Sequence, residues 1–317
     1  MTARHWAFLV VCAALSLTAA QSAQQGTSRQ SQPVYVGFIE DDRSELAKKN
    51  DSAPGAHRII VPAFEKDASG WKIVRELKEK VKWTVAFDGK KLGEVESQPG
   101  SAPEVIVQPN PVESSGYTHE VHTILTHSDK VPAIGRPARK FSGAFGGLVR
   151  RPLVVVSRPN FQDPDQWKRA TLPMELVQPV HEGFRQSYPH VRQCDKEGEP
   201  LQRDWQVPYS ELNIVGTYGS NKGSLLVQTQ LQRHRCVFEV NGKDVTDLAG
   251  TQWFFVGPDH VARGLGDNWA LVDAGDYDGD GKSEVIFFSG DSESGEEEYV
   301  LFCDDFRSKI TRSWTYR

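Results

Sequence analysis

Asp276, Asp278 and Asp280 stand at alternate positions in the stretch Asp276-Tyr-Asp-Gly-Asp-Gly-Lys-Ser-Glu284. That spacing puts three hard carboxylate oxygens on one short loop. Counted from Asp276, Gly281 falls at position 6, where a sharp turn needs positive φ. Lys282 offers its backbone carbonyl at position 7, and Glu284 supplies position 9. Oxygen donors at this density select Ca²⁺, and three aspartates so close would repel one another without a cation. An EF-hand also needs a bidentate Glu at position 12 and a helix on either side. Position 12 is Phe287, and the flanks Trp269-Ala-Leu-Val and Val285-Ile-Phe-Phe are strand-like, so the loop is not an EF-hand.

A strand, a D-x-D-x-D-G-x-x-[DE] loop and a second strand form a hairpin that resembles the calcium loop of FG-GAP/VCBS repeats, as in integrin-α-like β-propellers. The resemblance covers about 25 residues around one copy of the loop. It implies Asp276, Asp278, Asp280, the Lys282 carbonyl and Glu284 as Ca²⁺ ligands, and a propeller as the fold.

The rest of the chain must supply strands to hold that loop, and strand signals dominate it. Fourteen short β-branched or aromatic runs fit strands: 34–39, 58–61, 81–87, 92–96, 121–126, 153–157, 212–218, 224–231, 235–240, 253–256, 270–273, 284–288, 298–302 and 309–316. Trp83 to Phe87, Asp88-Gly89 and Lys90 to Val95 make the strongest hairpin, because Asp-Gly suits the type I′ turn that matches strand twist. Helical spacing is scarce. Trp71 to Lys82 reads as a short helix or a strand, and His181 to Tyr188 as a second helix ended by Pro189. Residues 97–119 and 189–210 read as long surface loops. The stretches Ile59 to Lys72 and Val154 to Lys168 share an apolar strand, a Phe, an Asp turn and a Trp-Lys, an echo that suits repeated blades, and Trp253, Trp269 and Trp314 are further candidates to seal them. The expected fold is all-β, a propeller-like array of about four to six small antiparallel blades, with a β-sandwich as the alternative.

Other reactive groups are weaker. His119, His122 and His127 lie around Glu120 and Asp129, yet H-E-x-H lacks the i, i+4 pair of a helical zinc motif, and on a strand His119 and His122 point to opposite faces. Gly143, Gly146 and Gly147 are followed by no Lys-Ser/Thr and read as a turn. Asp291 to Glu298 is acidic without the alternate-Asp pattern and reads as a solvated hairpin tip. No G-x-S-x-G elbow is present. Asn50-Asp51-Ser52 is a formal glycosylation sequon that reads as a polar turn.

Residues 1–23 have the layout of a secretory signal peptide: Arg4, the apolar run Trp6 to Leu17 and small residues at Ala19, Ala20 and Ala23. Residues 24–33 read as a disordered lead-in and 34–317 as one domain. The signal holds one Arg and no acid, so the formal charge moves from −5 to −6 on its removal, which argues against nucleic acid as a partner. No other stretch is long and apolar enough to insert in a membrane. In a secreted or periplasmic setting, Cys194 and Cys236 are the expected disulfide, leaving Cys303 as a small buried hydrophobe. The function these features favour is an exported calcium-binding module with a non-catalytic binding or scaffold role towards an extracellular protein or glycan. The alternative is a secreted hydrolase or lyase with His119, His122 and Glu120 in a propeller channel.

Overall fold

Strand alternation sorts the apolar residues of this chain into separate layers. On Val34–Asp41, Val36 and Phe38 join one cluster while Tyr35 and Ile39 join another, and on Leu153–Val156 the pair Val154 and Val156 parts from Leu153 and Val155 in the same way. The computed structural model describes residues 33–41, 58–97, 99–101, 104–109, 117–122, 126–127, 140–142, 148–189, 191–194, 200–204, 207–231, 236–240, 243–246, 251–290 and 296–315. Val34–Arg317 form one compact unit.

Three antiparallel sheets carry the core. The N-terminal sheet runs in the spatial order Thr126–His127, Arg58–Asp67, Val34–Asp41, Leu153–Val156, Val81–Phe87, Lys90–Ser97, with Gly70–Ile73 also paired to Arg58–Asp67. The second sheet runs Lys168–Arg169, Leu212–Gly219, Leu225–Leu231, Thr251–Val256, Ala262–Asp267. The C-terminal sheet is a plain meander of Ala270–Gly275, Glu284–Gly290, Glu296–Cys303 and Ser308–Thr315, each strand beside the one before it. A smaller four-stranded sheet joins Val191–Cys194, Pro200–Asp204, Cys236–Val240 and Lys243–Thr246.

The C-terminal sheet is apolar on both faces and is the central slab of the stack. Val272, Ile286, Phe288, Tyr299 and Leu301 pack on Val36, Phe38, Phe64 and Val154 of the N-terminal sheet, where the Phe38 and Tyr299 rings stack with centroids 3.6 Å apart. Val285, Phe287, Val300 and Phe302 pack on Leu226, Trp253 and Phe255 of the second sheet. The outer face of the second sheet is closed by Leu176, Val180 and Phe184 of helix α1, Met174–Ser187. Val74 and Leu77 pack with Ile60, Trp83 and Val155 on the outer face of the N-terminal sheet. Each large side chain so buried contributes about 2 kcal/mol by removing apolar area from water.

The all-β expectation holds, and the sheets do not close into a barrel. The hairpin over Trp83 to Val95 forms as read, with Asp88 and Gly89 at φ 49° and 69° in its turn. Elsewhere the sequence misled. Residues 97–119 are not one long loop, since Glu104–Pro109 pairs with a strand, Tyr117–His122, that begins inside it. Residues 189–210 contain the paired strands Val191–Cys194 and Pro200–Asp204. Of the two readings of Trp71 to Lys82 the strand one holds, as the short segments Gly70–Ile73 and Glu76–Leu77 ahead of Val81–Phe87. Helix α1 starts at Met174, well before His181, with Pro179 inside it. The echo between 59–72 and 154–168 is not a structural repeat: the first is a hairpin within one sheet, the second a crossover from the N-terminal sheet to Lys168–Arg169 of the second. The signal peptide, the lead-in through residue 32, the sequon, Asp129, Gly143, Gly146, Gly147 and residues 291–295 lie outside the described residues.

Candidate metal centre

The acidic loop joins the first two strands of the C-terminal sheet, and their antiparallel register sets Gly275 opposite Glu284. Pairing therefore returns Glu284 to the side of Asp276. One carboxylate oxygen from each of Asp276, Asp278 and Glu284 lies within 4.8 Å of the others. Two oxygens bound to the same Ca²⁺ at about 2.4 Å are at most about 4.8 Å apart, so the cluster has the span that a single ion requires.

Local bonds explain why the loop folds this way. Gly279 and Gly281 take φ of 86° and 84°, a region that costs other residues energy. Asp276 accepts from the Gly279 amide and, on Oδ2, from the Gly281 amide at 3.1 Å. Asp278 Oδ1 accepts from the Asp280 amide at 3.1 Å, and Asp280 Oδ1 from the Lys282 amide at 2.8 Å. These are successive Asx turns, in which short acidic side chains stand in for backbone acceptors. The segment between the first two sheets supports the loop from below. Gln162 O accepts the Asp276 amide at 2.9 Å, and Ser283 Oγ donates to Asp163 Oδ1 at 2.5 Å.

Glu284 is 2% exposed. Its Oε2 accepts the Tyr277 amide at 2.8 Å, and it has no other hydrogen bond among the described residues. Burial first, then the charge of Asp278, pushes this carboxyl up to about 9. Burial also raises Asp278, against the pull of the Asp280 amide. Two basic side chains face the cluster. Lys66 Nζ is 3.4 Å from Asp278 Oδ2, and Arg158 Nη1 is 3.4 Å from Asp276 Oδ1.

Of the five ligands expected from the sequence, the structure gathers Asp276, Asp278 and Glu284. Asp280 and Lys282 stay exposed on the outer turn, and Lys282 Nζ points to Asp305 at 3.8 Å. A hard divalent cation fits the three gathered carboxylates, because a buried acid among other acids needs positive charge to ionise. No family model, curated protein or solved structure matches this chain. The site is thus defined by its own geometry.

Sequence reading missed Lys66, Arg158 and Gly279. A Cβ on Gly279 would fall onto the Arg158 guanidinium, so this glycine serves close approach as well as the turn. The Gly-Asp-Gly run held that signal; nothing in the sequence announced the two basic residues. The other expected sites fare differently. His119 and His122 lie on one strand while His127 belongs to the N-terminal sheet, opposite Ile59. Glu120 pairs with Ile106. The acidic run through Glu298 is not all solvated tip, because Glu297 is buried within Glu296–Cys303. Cys303 is free and buried, as expected. Register sets Cys236 opposite Gln193, next to Cys194; the disulfide expected there falls outside the described side chains.

Proposed function

We propose that this chain is an exported β module that holds one Ca²⁺ in the loop 276–284 and serves as a non-catalytic binding or scaffold component towards an extracellular protein or glycan. In this reading the sheets are blades of the propeller type, and the C-terminal meander is the calcium blade. Asp276, Asp278 and Glu284 form the core of the site, with Asp280 and the Lys282 carbonyl completing the shell. The ion supplies positive charge that allows the buried carboxylates to ionise together. The observation that carries the reading is the convergence of three carboxylates within 4.8 Å around a nearly inaccessible Glu284. The surroundings suit holding more than reacting, since the Ser283 hydroxyl is committed to Asp163 and the Tyr277 ring is wholly buried. Among the described residues no helix is long and apolar enough to cross a membrane.

Calorimetry on chelator-treated protein tests the reading. Free Ca²⁺ at about 100 times its Kd stabilises a protein that binds it only when folded by about 2.7 kcal/mol. The melting temperature should rise accordingly, with Mg²⁺ far less effective. A melting curve that Ca²⁺ leaves in place, on protein shown to be metal-free at the start, overturns the assignment.

A further inference from the structure

We propose that Lys66 and Arg158 are counter-cations built into the carboxylate loop from the opposite sheet, setting its affinity and its preference for a divalent ion. The inference rests on reading the loop as a cation site, and concerns how that site is regulated.

Both basic residues come from the N-terminal sheet, Lys66 from near the end of Arg58–Asp67 and Arg158 from just after Leu153–Val156. Each touches a different carboxylate of the cluster at 3.4 Å. Neither is a loosely waving surface charge. The Lys66 amine lies 5.6 Å from the centre of the Trp71 ring, and the Arg158 guanidinium fills the space that a side chain at position 279 would need. Arg158 also reaches the Asp276 carbonyl at 3.5 Å.

Charge counting gives these contacts a purpose. With Asp280 taken as the fourth acid of the proposed shell, Asp276, Asp278, Asp280 and Glu284 carry four negative charges when ionised, and Lys66 with Arg158 carry two positive ones. The excess of two negative charges is what one divalent ion neutralises. A monovalent ion leaves the site negative, and a trivalent one makes it positive. Without the ion, the same two residues offset carboxylate repulsion and pin the loop to the N-terminal sheet. With the ion, they become its like-charged neighbours. Ion binding and the seam between the two sheets are therefore linked: whatever strengthens the pairs weakens the ion, and the reverse. The two side chains are 31% and 28% exposed and the carboxylates they face 7% and 10%, so screening is weaker than in bulk water. A unit charge a few ångströms from a divalent ion is then worth at least on the order of tenfold in Kd.

The test is titration calorimetry with Ca²⁺ and Tb³⁺, plus thermal melting, on the chelator-treated full mature chain and on Lys66→Gln, Arg158→Gln, Asp278→Asn and the control Lys72→Gln. Lys66→Gln and Arg158→Gln should each bind Ca²⁺ about tenfold tighter, melt lower without metal, and gain more for Tb³⁺ than for Ca²⁺. Lys72 pairs with Glu65 and Asp67, away from the cluster, and its change should leave Kd within about twofold. If the parent binds Ca²⁺, Asp278→Asn does not, and neither basic variant is tighter, the counter-cation role is wrong while the cation site stands. If no protein in the set binds Ca²⁺, the site and the proposal fall together. Binding by Lys66→Gln alone would uphold the counter-cation role and overturn the resident-calcium reading. Should Arg158→Gln fail to fold, Lys66→Gln decides the matter.

Discussion

The hairpin Ala270–Gly290 buries Asp273, Asp276 and Glu284, and the protein answers the two most deeply buried, Asp273 and Glu284, in opposite ways. Asp273 meets positive company. Its Oδ1 accepts the Gly89 amide at 3.0 Å and lies 3.5 Å from Arg151 Nη2, while Arg151 Nε donates to Val272 O at 2.5 Å. Burial still pushes Asp273 up to about 7, with the Arg151 charge pulling the other way. Glu284 meets one amide and three other acids, and is driven up to about 9. Burial alone therefore does not mark a metal ligand. The neighbours of these two do: Asp273 faces Arg151 and staples the fold, whereas Glu284 faces a cluster of acids and calls for a cation.

The comparison breaks most visibly at Arg151. Replacing it by Ala strands the buried Asp273 and should cost about 3 kcal/mol in urea unfolding at pH 8, less at pH 6 where Asp273 takes up a proton. An equal and small loss at both pH values would mean that Arg151 packs on Phe87 and does little for the acid. At the other end, Glu284→Gln removes a buried carboxyl that lacks a cationic partner. It should abolish the Ca²⁺ gain of about 2.7 kcal/mol while leaving the metal-free protein as stable as its parent or more so.

The pH response sharpens the same contrast. Glu284 is raised from 4.5 to about 9 on folding without metal, so the folded state binds the extra proton. Its contribution to metal-free stability is full below about 4.5 and is lost as pH rises through about 9. Ca²⁺ needs the ionised form, so its affinity should grow over the same range. Melting temperatures with chelator and with Ca²⁺ should diverge as pH rises, and parallel curves would remove Glu284 from the site. The smallest effect is expected at Gly279→Ala, which forces a side chain into φ 86° and onto Arg158. A loss of about 1–2 kcal/mol is expected from the backbone alone. A neutral result would show that the loop re-forms without the Arg158 contact.

How much of this was legible before the structure depends on whether a feature is local. The loop was, because Asx turns and glycine positions are written within nine residues. So was the Asp88-Gly89 hairpin. The runs Leu153-Val-Val-Val and Val285-Ile-Phe-Phe even announce strands buried on both faces, since a one-sided strand alternates. Lys66, Arg158 and Arg151 could not be found this way. Each acts on a carboxylate more than a hundred positions away, and a basic residue looks the same in sequence whether or not it has such a partner. Helix α1 was half-read because Pro179 interrupts the pattern, although Leu176, Val180 and Phe184 keep a spacing of four across it. The strand Glu104–Pro109 was hidden by the Pro, Ser and Glu around it.

The slab that separates the two outer layers is also the last of the three to be synthesised. A ribosome that has not reached residue 270 holds an N-terminal sheet with Val36, Phe38 and Val154 facing nothing, and a second sheet with Leu226, Trp253 and Phe255 equally uncovered. Layer by layer maturation is closed to this topology. Consolidation waits for the final strands, and a nascent or truncated product carries two uncovered apolar faces in the meantime.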